Sequence, residues 1–373
     1  MNLDNLNEEE LIKILKEKNI KYFNSKERII NHINYLNKEY ISYPKKDDPD
    51  FFEKIYKKKE FYENQYPEID EEKIDDIQNE LCPSKEKNYK LLAHQIIIRN
   101  YLNFNTPYNS VLLYHGMGSG KTASSITIAE NYKMNISDFN RNKTFVLVSG
   151  DTIEQNFRKE IHDINKGYNQ ATFTDYINYF PNDRLEVKQR KVDSLIDKNY
   201  EIEHYQKLTN IISKKKEEMD NLDFKKWIKQ TYSNRVFIID EVHNLKLIDK
   251  NEDKIKRYDA VKLIIENTTN LKLVLLSGTP MGHSVKEIID LLNLLLLNDN
   301  RKTVELKEIF ESNLDFTENG EELLKQLSKS YISYITRENP YTFPQKIFPK
   351  KSIYISNFIN NKFDKKFNLQ YDL

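Results

Sequence analysis

The segment VLLYHGMGSGKTASSITIAE, residues 111–130, constrains the fold of this chain more than any other. In it an apolar run is followed by a glycine-rich loop and then by a pattern typical of a helix. Only 8 of the 373 residues are glycine, and three of these, Gly116, Gly118 and Gly120, fall within this loop. Since glycine is so scarce elsewhere, we expect the loop backbone to need the conformational freedom or close approach that glycine permits.

A glycine-rich loop between a buried strand and a helix predicts a site for polyphosphate. The backbone N–H groups of such a loop and the N-terminus of the helix together attract anions. We expect Lys121 to contact the β- and γ-phosphates and the Thr122 hydroxyl to hold Mg²⁺. The strict GxxxxGKT pattern begins with glycine, where this chain has His115. The predicted cofactor-binding residues of the loop are Gly116, Met117, Gly118, Ser119, Gly120, Lys121 and Thr122.

A second apolar run, in VFIIDEVHNL, ends in two carboxylates about 120 residues after the loop. A carboxylate at a strand tip beside a phosphate loop can hold the water shell of Mg²⁺, and another can orient the attacking water. We assign the metal role to Asp240 and the water role to Glu241, so the candidate catalytic residues are Lys121, Asp240 and Glu241. By itself an Asp-Glu pair after a strand is an ordinary solvated loop. Its combination with Gly-Lys-Thr favours catalysis.

From about residue 87 onward, short apolar runs alternate with helix-length connectors. Runs that are apolar throughout and joined by helices are typical of a parallel sheet covered on both faces. The sequence therefore predicts an α/β doubly wound domain. The predicted strands are residues 111–115, 144–150, 200–204, 236–240 and 271–278.

Two regions precede this pattern. Residues 1–40 predict two short helices, and ELIKILKEKNIKYFNSKERIINHI is similar to the SAP module, a helical hairpin that in its family often binds DNA. A hairpin that packs on the main domain or on a partner is an equal alternative. Residues 41–86 are rich in Lys, Glu, Asp, Tyr and Pro without a sustained period. They predict a charged linker with one or two short, exposed helices.

Charge and cysteine content exclude several classes of protein. The 58 basic and 58 acidic side chains cancel, so any contact with nucleic acid must be local. The single cysteine, Cys82, cannot form an intrachain disulfide and is too few for a structural zinc site. No apolar run approaches the ~18 residues of a membrane span, and the acidic start is not a signal peptide. We expect an intracellular, soluble protein without a membrane partner, cytoplasmic or, if viral, in the virion.

In order along the chain, the motifs resemble those of superfamily 2 helicases and translocases of the DExH type. The matching segments are LLAHQ, the phosphate loop, VLVSGDTIEQNF, DEVH and LLSGTPM. The resemblance implies a RecA-like, P-loop NTPase lobe over residues 87–350, ATP and Mg²⁺ as cofactors, and DNA or RNA as a partner.

The resemblance also implies roles for single residues. Gln95 would recognise adenine, although an exposed helix residue at this position would be ordinary. Ser277 and Thr279 would couple the nucleotide state to nucleic-acid movement, and His243 would link the ATP site to neighbouring motifs. Ser149 and Gly150 would contact the nucleic-acid backbone.

A finer similarity is to viral transcription-associated helicases of the poxvirus and giant-virus type, including the early transcription factor helicase subunit and the nucleoside triphosphatase. It depends on HGMGSGKT, SGTPMGHSVKEIIDLLNLLL and YISYITRENPYTFPQKIFP. It implies the transcription machinery as a partner. The aromatic residues Tyr331, Tyr334, Tyr341 and Phe343 are better explained by packing than by base stacking.

Motors of this superfamily use a second RecA-like lobe, which supplies arginines to the transferring phosphoryl group. Residues 351–373 are too few to form one. We expect the chain to bind Mg-ATP, to hydrolyse it slowly alone, and to need a second lobe in cis or in trans. A truncated chain, a split gene and a subunit of a complex are equally compatible with the sequence. A nucleotide-dependent DNA-binding switch or scaffold is the alternative function, and a P-loop ATPase of another superfamily is disfavoured by SGTP after DEVH.

Overall fold

The computed structural model describes part of the chain, and all of the described residues belong to one compact unit. The predicted SAP-like hairpin, the tail over residues 351–373, and Met117, Tyr341 and Phe343 lie outside the described residues. The described ranges are 43–65, 91–116, 118–135, 142–162, 183–246, 256–280 and 285–335.

A parallel sheet of six strands forms the centre of the described unit. The strands lie in the order β3-β2-β4-β5-β1-β6, and every neighbouring pair is parallel. The predicted doubly wound α/β fold is confirmed. The strands are β1 (Ser110–His115), β2 (Thr144–Val148), β3 (Tyr200–His204), β4 (Val236–Ile239), β5 (Lys272–Ser277) and β6 (Ile332–Ile335).

Helices cover both faces of the sheet. No helix in the described ranges combines the length and the apolar character needed to cross a membrane. A 3₁₀ helix spans Val242–Lys246. The α-helices are α1 (Phe51–Tyr56), α2 (Lys59–Tyr62), α3 (Ala93–Tyr101), α4 (Lys121–Asn135), α5 (Asp151–Ile161), α6 (Leu185–Asn199), α7 (Tyr205–Glu218), α8 (Asn221–Tyr232), α9 (Arg257–Asn267), α10 (Lys286–Asn298), α11 (Leu306–Ile309) and α12 (Gly320–Tyr331).

Successive side chains of the central strands enter two separate hydrophobic cores, because neighbouring residues of a strand point to opposite faces. Along β5, Leu273 and Leu275 pack with α7 to α10 and α12. Val274 and Leu276 pack with α3 to α6 on the other face. Since both sets must be apolar, the strand is a continuous hydrophobic run in the sequence.

Strand β6 is absent from the predicted strands. It lies at the edge of the sheet and pairs only with β1, through residues 112–115. Its four residues are only partly buried or exposed, so it lacks the apolar run that identified the central strands. Tyr331, just before it, is fully buried, as the packing interpretation expects, whereas Tyr334 within it is 60% exposed.

The part of the predicted linker that the structure describes, residues 43–65, packs on this unit. The two short helices α1 and α2 are present, but Phe51, Ile55 and Phe61 are buried together with Tyr108. The expectation of exposed helices is therefore wrong for this segment. Helices of six and four residues are too short to show a hydrophobic period, and the charged residues between the anchors dominate the composition.

Candidate nucleotide-binding site

The loops that carry the predicted catalytic and coupling residues follow three adjacent strands. The phosphate loop follows β1, the acidic pair follows β4, and the Ser277–Thr279 loop follows β5. Because β4, β5 and β1 are neighbours in a parallel sheet, their carboxyl ends meet at one edge, where ligands bind in open α/β sheets. Lys121 and Thr122 line the same cleft of about 430 Å³ as Asp240 and Glu241. The topology thus joins two motifs that lie far apart in the sequence.

The backbone of the phosphate loop requires glycine at two positions. Gly118 has φ +82° and Gly120 has φ +75°, in the left-handed region that other residues adopt only with strain. A Cβ on Gly118 would meet no atom within 4 Å, whereas one on Gly120 would lie 2.4 Å from Gln95 Nε2. Between them, the buried Ser119 Oγ has no hydrogen-bond partner among the described residues. Open space and an unsatisfied hydroxyl at the loop fit a phosphate ligand.

Lys121 is the first residue of α4, and its ammonium group is held against the start of the loop. Its Nζ donates a hydrogen bond to the carbonyl oxygen of His115 at 2.9 Å. Since a backbone carbonyl makes this contact, histidine at the first pattern position leaves it intact. The His115 ring bonds elsewhere, with Nε2 2.8 Å from Ser333 Oγ of β6. Gly116, next along, donates its N–H to the Ile335 carbonyl at 3.1 Å.

Asp240 and Glu241 are fixed at the tip of β4 by backbone contacts. The Asp240 N–H donates to Leu147 O of β2 at 2.9 Å, and its carboxylate Oδ1 accepts the Glu241 N–H at 3.0 Å. The Tyr205 hydroxyl donates to Asp240 O at 2.7 Å. Glu241 has φ +49°, a strained conformation of the kind found at functional sites.

The electrostatics of the acidic pair suit a divalent cation. Burial, assisted by the negative charge of Glu241, raises the pKa of Asp240 to about 6. A bound cation would offset this cost of ionisation. The Thr122 hydroxyl and the Asp240 carboxylate are oxygen donors, which Mg²⁺ prefers. The residues present therefore fit a magnesium ion, which would neutralise phosphate charge at this site.

The predicted coupling residues are joined by hydrogen bonds. His243 Nδ1 lies 3.2 Å from Ser277 Oγ and 3.4 Å from a carboxylate oxygen of Glu241. Ser277 Oγ in turn accepts the N–H of Thr279 at 3.1 Å. Ser277 is fully buried and Thr279 is exposed. A continuous polar path therefore runs from the acidic pair to the loop after β5.

Gln95 lies against the phosphate loop and has no exposed surface. Its Oε1 accepts the Leu92 N–H at 2.9 Å, and its Nε2 donates to Gly120 O at 3.4 Å. The exposed alternative for this residue is wrong. The adjacent His94 is part of the quoted LLAHQ motif, but no role was predicted for it. Its Nε2 lies 2.9 Å from Ser119 O. Its position beside Gln95 at the start of a helix was the only signal.

Ser149 and Gly150 follow β2 and lead into α5, at the same edge of the sheet as the cleft. Ser149 is exposed and Gly150 is half-buried, so both are accessible to a ligand. Sequence reasoning missed the contribution of α5 to the cleft, although the residues have the i, i+3, i+4, i+7 spacing of one helix face. They are Ile153, Asn156, Phe157 and Glu160.

Comparison with known proteins supports the family predicted from the motifs. A family model described as "Type III restriction enzyme, res subunit" matches residues 71–282, more than half of the chain. A protein of Acanthamoeba polyphaga mimivirus, provisionally named an ATP-dependent RNA helicase, is 29% identical over 82% of this chain. A protein of Invertebrate iridescent virus 3, provisionally named a helicase, is 34% identical over 55% of this chain.

An early transcription factor large subunit homologue of African swine fever virus is 23% identical over 85% of this chain. The chain spans 28%, 20% and 36% of the lengths of these three relatives, in the order given. A solved SWI2/SNF2 ATPase core of Sulfolobus solfataricus in complex with double-stranded DNA has a TM-score of 0.40 at 18% identity, and covers 66% of this chain and 44% of its own. By its family match and its viral relatives, the chain belongs to the family described as the res subunit of Type III restriction enzymes, and it carries the N-terminal lobe of a superfamily 2 helicase.

Proposed function

We propose that this chain is the ATP-binding motor lobe of a nucleic-acid helicase or translocase that acts in viral transcription. One observation carries the proposal: Lys121 and Thr122 meet Asp240 and Glu241 in a single cleft at the carboxyl edge of the sheet. The name of the African swine fever virus relative supports the link with transcription. The names of the mimivirus and iridescent virus relatives support helicase action.

The residues of the cleft have separate roles in ATP hydrolysis. The loop amides and Lys121 bind the β- and γ-phosphates, while Thr122 and Asp240 hold Mg²⁺. Glu241 orients the attacking water and accepts its proton. The shared cleft supports these roles, because Lys121 and Thr122 line it together with the carboxylates of Asp240 and Glu241.

The path from Glu241 through His243 and Ser277 to Thr279 serves as the link between the nucleotide and the nucleic acid. DNA or RNA is the partner, and the exposed Ser149 and the adjoining Gly150 contact its backbone. Such phosphate contacts bind nucleic acid without reading its sequence. Their affinity falls as salt rises.

The isolated chain turns ATP over slowly. Among the described residues that line the cleft, Lys121 is the only cationic side chain. An arginine that stabilises the transition state accelerates related reactions by about 10³ to 10⁵. A second RecA-like lobe, in cis or in trans, supplies that arginine in this proposal.

The test uses the full chain and two site variants. Lys121→Ala should abolish Mg-ATP binding measured by calorimetry, because it removes the only cation of the described cleft lining. Glu241→Gln should leave binding intact and slow hydrolysis by about 10² or more, as loss of a general base does. Lys207→Ala is the matched control, because Lys207 is an exposed lysine of α7 that pairs with Glu203 of β3.

Unchanged Mg-ATP binding in Lys121→Ala would overturn the assignment of the site. Fast turnover by the wild-type chain, stimulated by nucleic acid and abolished by Lys121→Ala, would overturn the slow-turnover proposal. The second candidate is a nucleotide-dependent DNA-binding switch without efficient turnover, and it is supported by the single cationic side chain, Lys121, among the described residues that line the cleft. In that case Mg-ATP changes DNA affinity, but Glu241→Gln changes neither DNA affinity nor the ATP hydrolysis rate.

A further inference from the structure

The side chain of Tyr205 connects α7 to the backbone of the acidic pair. Its hydroxyl donates to Asp240 O at 2.7 Å and to Glu241 O at 3.4 Å. The residue is buried in the hydrophobic core on the face of the sheet that α7 to α10 cover. The hydroxyl is therefore the polar end of a core residue, and it contacts both proposed catalytic carboxylate residues through their carbonyls.

The position of Tyr205 is itself fixed, because it begins α7 directly after β3. The preceding residue, His204, places its Nε2 3.1 Å from a carboxylate oxygen of Glu154 on α5. Burial, assisted by the negative charges of Asp240 and Glu241, raises the pKa of Tyr205 well above its usual range. The hydroxyl therefore keeps the proton that it donates.

The bond from Tyr205 orients the peptide between Asp240 and Glu241. In a trans peptide the carbonyl and the following N–H point in opposite directions, so an anchored Asp240 O also directs the Glu241 N–H. That N–H donates to Asp240 Oδ1 at 3.0 Å. The peptide is thus held from both sides.

The orientation of this peptide determines where the Glu241 carboxylate points. The next rotation of the backbone, φ of Glu241, is +49°, in the left-handed region that residues with a Cβ adopt only with strain. Such strain persists only where the surroundings fix the backbone. On the far side of that rotation, Glu241 O accepts the Asn244 N–H at 2.9 Å. Without the Tyr205 hydroxyl, the near side can relax and move the carboxylate.

We infer that Tyr205 is a positioning residue that holds Glu241 in the geometry it needs to orient the attacking water. The inference rests on the proposed function, since it concerns the same reaction. In that function Lys121 and the loop amides bind the phosphates, and Tyr205 contacts neither. The hydroxyl therefore acts on the rate of hydrolysis and not on nucleotide affinity.

The experiment compares the full wild-type chain with Tyr205→Phe, which keeps the ring in the core and removes only the hydroxyl. Calorimetry measures Mg-ATP affinity, and single-turnover assays with radiolabelled ATP measure the rate of hydrolysis. Tyr205→Phe should bind Mg-ATP within about twofold of the wild type. It should hydrolyse ATP about 10- to 100-fold more slowly, because a misplacement of about 1 Å can cost a factor of about 10².

A double variant tests whether the hydroxyl acts through Glu241. Residues that act as a unit have non-additive effects on rate. In the Glu241→Gln background, Tyr205→Phe should therefore slow hydrolysis further by no more than about twofold. A purely structural role would slow hydrolysis by the same factor in both backgrounds.

Tyr258→Phe is the matched control. Tyr258 packs against the same hydrophobic core, and its hydroxyl also donates to a backbone carbonyl, Asp290 O of α10 at 3.0 Å. Neither residue is among the described residues that line the cleft. Loss of this hydroxyl should leave both Mg-ATP affinity and the hydrolysis rate unchanged.

Hydrolysis at the wild-type rate by Tyr205→Phe overturns the inference. Loss of Mg-ATP binding in Tyr205→Phe, an equal loss of rate in Tyr258→Phe, or equal factors in the two backgrounds also overturns it, because the hydroxyl would then support the lobe as a whole. If the wild type does not bind Mg-ATP, or if Glu241→Gln hydrolyses ATP at the wild-type rate, the proposed function fails instead.

Discussion

His115 shows at the scale of a single residue how a departure from a sequence pattern is accommodated. Its carbonyl serves Lys121, while its ring is buried between α3 and β6, next to His94 and Ser333. Its Nδ1 has no partner among the described residues. Burial, with smaller effects from His94 and Lys121, lowers the pKa of His115 to about 3 from an ordinary value of 6.5.

This pKa predicts that acid destabilises the fold through His115. Between pH 6.5 and about 3, the unfolded chain binds a proton that the folded chain does not, so stability falls as pH decreases. His115→Asn should reduce the slope of unfolding free energy against pH by at most about 1.4 kcal/mol per pH unit. Urea unfolding at several pH values measures this slope.

Comparison with the same variant at pH 7 removes any constant cost of the substitution, since His115 is neutral there. Parallel stability curves for wild type and His115→Asn from pH 7 to 4 would contradict the prediction.

The residue scale also shows what sequence can predict about the site. The glycines, Lys121 and the acidic pair were predictable because their chemistry depends on local backbone and on residue type. The contacts of His94 and Gln95 were not, because they depend on how α3 packs against a loop that is 25 residues away in the chain. Nothing local distinguishes a buried Gln95 from an exposed one.

At the scale of elements, burial decides which segments are predictable. β1, β4 and β5 are buried on both faces and therefore appear as apolar runs. β6 lies at an edge and does not. Residues 43–65 are held by a few isolated anchors whose partners are remote, so composition alone suggested a linker.

One such anchor is Lys46, which joins this segment to the sheet. Its Nζ lies 2.7 Å from the Asp299 carboxylate and 3.7 Å from the centre of the Tyr331 ring. It also donates to Ser110 O at 3.1 Å. Burial lowers the pKa of Lys46 to about 8 in spite of the Asp299 carboxylate, so the charged pair is costly to bury. Removal of either side chain would leave the other charge buried without its partner.

Lys46→Met should destabilise the fold by about 3 to 5 kcal/mol, because it leaves the Asp299 charge buried without its partner. Lys54→Met is the matched control, because Lys54 pairs with Asp48 at 2.8 Å but is 48% exposed, and solvent-exposed ion pairs contribute little to stability. Denaturant unfolding measures both variants. Equal losses would show that Lys46 is not an anchor.

At the scale of the whole molecule, the sheet topology brings together the groups that the proposed motor needs. Formal charge is balanced, with 58 residues of each sign, so the proposed nucleic-acid binding would have to arise from a local surface rather than from an overall field. The loops after β2, β4, β5 and β1 open at one edge of the sheet. A nucleotide in the cleft and nucleic acid at Ser149 would therefore bind to neighbouring loops of the same sheet.

If the polar path through His243 and Ser277 links the two ligands, its removal should separate their binding. Ser277→Ala deletes the hydroxyl that contacts His243 Nδ1 and the Thr279 N–H. We expect the variant to keep its Mg-ATP affinity but to lose most of the change in single-stranded DNA or RNA affinity that Mg-ATP causes. Coupling energies of this kind are about 1 to 3 kcal/mol, or five- to 150-fold in affinity.

Fluorescence anisotropy with labelled oligonucleotides, with and without Mg-ATP, measures the coupling, and Ser328→Ala on α12 is the control. Because linkage is reciprocal, nucleic acid must change Mg-ATP affinity by the same factor in the wild type. Full coupling in Ser277→Ala would place the link elsewhere in the lobe.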